Sequence, residues 1–252
     1  MAKDKENKLT ITGIEDKALA ELPDFIKEDA GKGGLETGAE MVFGFAKLLD
    51  AKSPEVEAVD SKFKSGEIIN SLSVASYGRE LTFIPLVDQK QAIRWVPRSE
   101  GGGGMDCVSQ DLMNGNKHGE CIKCEFNYDL WKDPSITKDN KKGLCSTYLN
   151  FPSLINGEDM PTILAFWKTK YKVGQRIKAL YVNKCASLNK TVPIYAMKFK
   201  LISIQDKAGA DTFWNYDVSF AGFVTDAAEY TKAKKWAEMI KNINIKTEKT
   251  PF

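Results

Sequence analysis

The sequence predicts a mainly β fold with peripheral helices (α+β), built as an antiparallel barrel with an inserted metal-binding module and a C-terminal helix. Three observations predict it. Short runs rich in β-branched and aromatic residues recur through 66–97 and 146–223, separated by turn residues. Four cysteines, Cys107, Cys121, Cys124 and Cys145, bracket a polar stretch with little from which to build a core. One amphipathic segment lies among the strands and another follows them. At 252 residues the chain can bury a real core as one elaborated domain or two small ones.

The elements follow in order. Residues 1–40 form an acidic extension in which six lysines face ten acids. Within it, EDKALAELPDFIKEDA suits a short helix interrupted at Pro23, and GKGGLETG a loop. That loop lacks the Ser or Thr after Gly-Lys, and the upstream glycine, that a phosphate-binding loop requires. The main domain is expected over 41–225. It opens on the apolar AEMVFGFAKLLDAKSPEV, closed by Ser53-Pro54, and continues with strands at 66–76, 80–87 and 91–97. The run GGGG at 101–104 is a joint into an insertion over 101–146. STYLNFPSLI and PTILAFWKT are again strands, and 173–188 is a helix with Ile177, Leu180, Tyr181, Cys185 and Leu188 on one stripe. VPIYAMKFKLISIQD and DTFWNYDVSFAGFV form a long hairpin around Lys207–Ala210. The last unit, 226–252, is a helix and tail, capped by Thr225 or Asp226, with Tyr230, Ala233, Ala237 and Ile240 as its apolar face. A barrel with a helix between strands suits the oligonucleotide-binding (OB) architecture. A β-sandwich is the competitor, because periodicity does not separate the two.

The cysteines are spaced Cys107-x13-Cys121-x2-Cys124-x20-Cys145. A Cys-x2-Cys turn presents two thiolates to one ion, and two more cysteines at loop distances complete the tetrahedral shell that Zn2+ prefers. Structural zinc contributes about 10–16 kcal/mol to folding in small peptides, enough to order so polar a segment. Disulfides fit poorly with an intracellular setting, which the charged N-terminus MAKDKENKLT suggests, since it has no secretory apolar stretch. A redox Cys-x-x-Cys would need a thioredoxin-like strand-to-helix junction, which is absent, and unliganded thiols are the remaining alternative. His118 could replace Cys107 as a ligand, but a polar loop histidine explains it as well. Four closed ligands leave no position for water, so the expected role is structural. Cys185, on the helical stripe, reads as a small buried residue.

From Pro161 to Gln205 there is no acid, and nine cations: Lys168, Lys170, Lys172, Arg176, Lys178, Lys184, Lys190, Lys198 and Lys200. Either acids from elsewhere balance them in three dimensions, or they form a basic binding face. The same window carries Phe166, Trp167 and Tyr171 in FWKTKYK, and a second aromatic–cation cluster, Arg94, Trp95 and Arg98, lies upstream. Stacking rings interleaved with cations suit single-stranded nucleic acid, which offers exposed base faces and a charged backbone. One loop histidine and no paired-carboxylate motif give catalysis little support, and no apolar run is long enough to span a membrane.

The succession LLDAKSPEV, GEIINSLSVAS, LTFIPLV, IRWVPR, then the cysteine pattern and a basic strand–helix–hairpin, resembles phage-encoded single-stranded-DNA-binding proteins with an OB barrel and a zinc-ribbon-like insertion. The resemblance covers residues 40–222. It implies a role in phage replication or recombination in the cytoplasm of a bacterial host, replication or recombination proteins as partners, and Cys107, Cys121, Cys124 and Cys145 as the zinc shell. Many such proteins end in an acidic tail closing on Pro-Phe; this chain ends Pro251-Phe252, but IKTEKTPF is not acidic.

Overall fold

The computed structural model describes residues 42–97, 101–102, 104–137, 143–208 and 211–241. The acidic extension 1–40, Arg98 and the tail after Lys241 lie outside the described residues. The strands are β1 (Ala46–Leu48), β2 (Ile68–Asn70), β3 (Ser76–Gly78), β4 (Glu80–Pro85), β5 (Gln89–Trp95), β6 (Met105–Ser109), β7 (Asn114–Gly115), β8 (Gly119–Glu120), β9 (Ser146–Ile155), β10 (Thr162–Trp167), β11 (Met197–Ala208) and β12 (Asp211–Phe223). The helices are α1 (Pro54–Glu57), α2 (Tyr171–Ser187) and α3 (Ala227–Lys241). The fold is thus mainly β with few helices, and every strand pair within its sheets is antiparallel.

Seven strands form one sheet in the order β12-β11-β4-β9-β5-β6, with β10 added to β9. β9 organises it. Its first half pairs with β5 through Ser146–Asn150, its end pairs with β4 through Ser153–Ile155, and β10 runs along its other edge through Tyr148–Ser153. The terminal strands β12 and β6 do not pair, so among the described residues the sheet stays open and the expected barrel is not closed. A separate three-stranded sheet, β1-β2-β3, meets β10 through a parallel bridge between Phe45 and Ile163.

Helices cover both faces of this sheet. On one, α2 lays Val173 and Ile177 against Leu149, Phe151, Leu164 and Phe166. On the other, α3 lays Ala233, Ala237 and Ile240 against Phe43, Ile84, Leu154 and Ile163. A strand covered on both faces is apolar along its length rather than alternating, and β9 is buried from Tyr148 to Ile155 for that reason. Asp226 caps α3, accepting from the Glu229 N–H at 2.7 Å. Trp236 donates its indole N–H to the Asp159 carbonyl at 2.9 Å, tying α3 to the β9–β10 connection. No described helix is long and apolar enough to cross a membrane.

One expected strand is broken. The run 66–76 divides into β2 and β3 because the Asn70 side chain accepts from the Leu72 and Ser73 N–H groups at 2.9 and 3.2 Å. This local hydrogen bonding turns the chain within three residues.

Candidate nucleic-acid interface and cysteine module

The cysteine module grows out of the main sheet. β6 carries Cys107 and pairs with one edge of β5, while Cys145 immediately precedes β9 on the other edge. The remaining two thiols come from the 3-10 turn Cys121–Lys123, closed by the Cys124 N–H donating to the Cys121 carbonyl at 3.2 Å. Asn127 braces that turn by donating its side-chain amide to the same carbonyl at 2.8 Å. The Phe126 N–H donates to Cys124 Sγ at 3.4 Å and fixes where that sulfur points.

All four thiols and His118 line one small hollow, floored by Ala92 and Gly115. Gly115 is required there, because a Cβ would stand 2.6 Å from Cys107 Sγ. Burial and the neighbouring sulfurs of Cys124, Cys107 and Cys121 push the Cys145 thiol up to about 12. The Cys145 thiol therefore resists ionising unless a cation joins it. None of the described cysteines is disulfide-bonded. Among the described residues no three His, Cys, Asp or Glu side chains already stand in a coordinating arrangement. The donor set fits Zn2+ in kind, while its sulfurs share the hollow without forming a coordination shell.

His118 is engaged elsewhere. Its Nε2 lies 2.7 Å from Asp106 Oδ2 and its ring meets the Phe126 ring edge-on at 5.1 Å. Asp106 also binds Arg94 at 2.6 Å, and Lys117. Hydrogen bonds from Lys117, His118 and Arg94 hold its carboxyl well below the ordinary range. Arg94 is itself buried. It donates to the Gly143 carbonyl at 3.0 Å and lies 3.7 Å from the centre of the Phe126 ring. Expected on a nucleic-acid surface, Arg94 instead fastens the module to β5.

The aromatic residues divide in the same way. Phe166 is fully buried between Phe151 and Tyr216, so neither of its faces reaches solvent. Trp95 and Trp167 are half-buried and meet through Tyr148, a residue the sequence reading missed. The Trp95 indole N–H donates to Tyr148 Oη at 2.9 Å, and the Tyr148 ring stacks on Trp167 at 5.3 Å and 21°. The signal was present in the register: Tyr148 lies directly across from Trp167. Tyr171 opens α2 and packs at the margin of the main core.

The cations are less concentrated than their spacing suggests. Acids outside the acid-free window pair four of them: Arg176 with Asp217, Lys178 with Asp88, Lys198 with Glu229 and Lys200 with Glu80. Lys184 lies over the Phe220 ring at 4.7 Å. Lys170 sits between the rings of Trp167 and Tyr216, at 5.3 and 5.4 Å, and burial draws its pKa down to about 8. Lys168 and Lys172 are exposed, with no acid paired to them among the described residues. They flank the start of α2, whose first turn has neither a side-chain cap nor an acid. A 3-10 turn over Lys168–Lys170 leads into the helix and takes the Tyr171 N–H onto the Lys168 carbonyl, so the start of α2 adds positive potential through its dipole.

The chain belongs to the Pam3 phage gp34-like protein family, whose model matches residues 14–246. No curated protein and no solved structure matches it.

Proposed function

We propose that this phage protein binds single-stranded DNA without catalysis, protecting or organising it during phage replication or recombination in the bacterial cytoplasm. The observation that carries the reading is the junction of β10 and α2. Half-exposed Trp167, stacked on Tyr148 and joined through it to Trp95, is followed at once by Lys168, Lys170 and Lys172 at an uncapped helix start. Rings there can stack on bases, and the cations can meet phosphates. An OB-like groove is part of the proposal: β5, β9 and β10 bring the three rings to one side, next to the helix start. The four paired cations contribute less. The pairs of Arg176, Lys178 and Lys200 are exposed, and such pairs are worth only about 0–1 kcal/mol, so phosphates can displace their acids, whereas Lys198 and Glu229 are partly buried.

In this proposal Cys107, Cys121, Cys124 and Cys145 hold a structural Zn2+, which would neutralise the crowded thiolates and fix the module against β5. Elemental analysis is expected to find one zinc per chain. The paired change Cys121→Ser with Cys124→Ser should remove it, whereas Cys185→Ser should not. Full zinc in the paired variant would refute the assignment.

Titration with oligo-dT and with a matched duplex, followed by tryptophan fluorescence, tests the binding reading. Strong single-strand preference is expected, together with a loss of about 1–3 kcal/mol in folded Trp167→Ala. Equal affinity for both forms would count against it. A second reading is favoured by Met113 and Ile122, exposed at 66% and 83% on the module. There the protein is a zinc-containing phage regulatory or interaction protein that contacts a polymerase or another protein. Absence of binding to either DNA would favour that reading.

A further inference from the structure

β12 ends the main sheet: it pairs with β11 along its inner edge, and among the described residues no strand pairs with its outer one. A long open edge offers N–H and C=O groups to any strand that approaches. The register shows which N–H groups face outward. Tyr216 lies opposite Ser203, and the Ser203 N–H donates away from β12, to the Arg79 carbonyl beside β4, at 2.8 Å. Opposed residues of an antiparallel pair exchange either both hydrogen bonds or neither. The Tyr216 N–H therefore points out of the sheet, and so does that of Val218, two residues on.

Both are already occupied. Asn215 Oδ1 accepts from the Tyr216 N–H, and Asp217 Oδ1 from the Val218 N–H, each at 2.9 Å. These caps are held in turn. Asn215 Nδ2 donates to Asp206 Oδ2 at 3.0 Å, and Arg176 of α2 donates to the same Asp217 Oδ1. Tyr216 and Val218 face the core that α2 covers, so the Asp217 side chain leaves the opposite face. The bond from Arg176 to Asp217 thus passes around the outside of β12, across the path of an incoming strand. At the other end of the sheet Asn116 occupies the outer edge of β6. Its Oδ1 accepts from the Val108 N–H at 2.9 Å, and its own N–H donates to the Val108 carbonyl at 3.0 Å.

We infer that Asn215, Asp217 and Arg176 form a guard that keeps β12 from pairing with the β12 of a second copy of this chain. The inference goes beyond DNA binding and does not depend on it. A second copy is the partner this edge fits, because two β12 edges meeting antiparallel about a twofold axis present each other with the same outward groups. The guard also gives Arg176 a task other than meeting phosphate.

The test compares the full chain with its Asn215→Thr, Asp217→Thr double variant by sedimentation over a concentration series. Threonine keeps strand propensity and adds no large apolar surface. The parent's mass is expected to stay constant, and that of the variant to rise toward about twice the parent's. In the associated variant the Tyr216 and Val218 amides should exchange hydrogen at least about tenfold more slowly than in the parent. A variant that keeps the parent's mass overturns the inference, as does association without slowed exchange at those two amides. Should the double variant not fold, Arg176→Gln, which leaves β12 untouched, decides by the same two measurements: an unchanged mass again overturns the inference.

Discussion

Gly115 is the residue on which the cysteine hollow depends most directly. With a Cβ only 2.6 Å from Cys107 Sγ, Gly115→Ala must displace either the thiol or the ribbon β7–β8. Elemental analysis of that variant is expected to show zinc well below one per chain, and the thermal midpoint should fall. Lys170 offers a second residue-level expectation, in pH dependence. Its folded pKa of about 8 lies below its ordinary 10.5, so between those values the unfolded chain holds a proton that the folded chain has released. Stability from this group therefore rises with pH across that window. Burial of Tyr148 and Cys145, whose pKa values are both raised to about 12, acts in the opposite direction in parent and variant alike. The difference between parent and Lys170→Met isolates the lysine. The variant is expected to be the more stable at pH 7.5, with the gap closing by pH 10.5, as read from urea midpoints. A constant gap would show that the rings, not burial of the charge, decide the effect.

Among the elements, α3 carries the clearest mechanical consequence. Ala233 and Ala237 bring its axis close to the sheet, and Ile240 completes the second core, all three fully buried. Ile240→Ala is expected to cost about 2–5 kcal/mol, and deletion from Ala227 onward should abolish cooperative unfolding, because Phe43, Leu154 and Ile163 would lose their cover. Calorimetry checks both. The helix was legible in the sequence from its apolar spacing and its Asp226 cap. Its part in the core was not, because its partners lie in β4, β9 and β10, and amphipathic spacing does not name a partner. The strands were legible from composition, and the Cys-x2-Cys turn from spacing alone. The role of Arg94 was hidden, since Asp106, Phe126 and Gly143 converge on it only in three dimensions. Val74, a β-branched residue at φ 55°, marks the place where local turn chemistry overrode a strand-like composition.

Over the whole molecule, charge and topology set the remaining expectations. The acid-free window is acid-free only along the chain: Asp88 reaches Lys178 across 90 residues and Asp217 reaches Arg176 across 41. Salt dependence of oligo-dT binding should therefore come mainly from the start of α2. Lys172→Ala is expected to flatten the slope of log affinity against log salt by about 0.7, whereas Lys200→Ala should leave it nearly unchanged. Equal effects would mean that Glu80 releases Lys200 on binding. The placement of β9 has a further consequence, in the rate at which the chain reaches this fold. β5 can pair with β9 only after everything between Ser109 and Ser146 has been looped out, and loop closure of that kind slows folding. Cys107 and Cys145 stand at the two ends of that loop. An ion gripping both would close it before the strands meet, so refolding from urea should run faster with equimolar zinc than with a chelator, while a Cys145→Ser protein should refold at one speed in either.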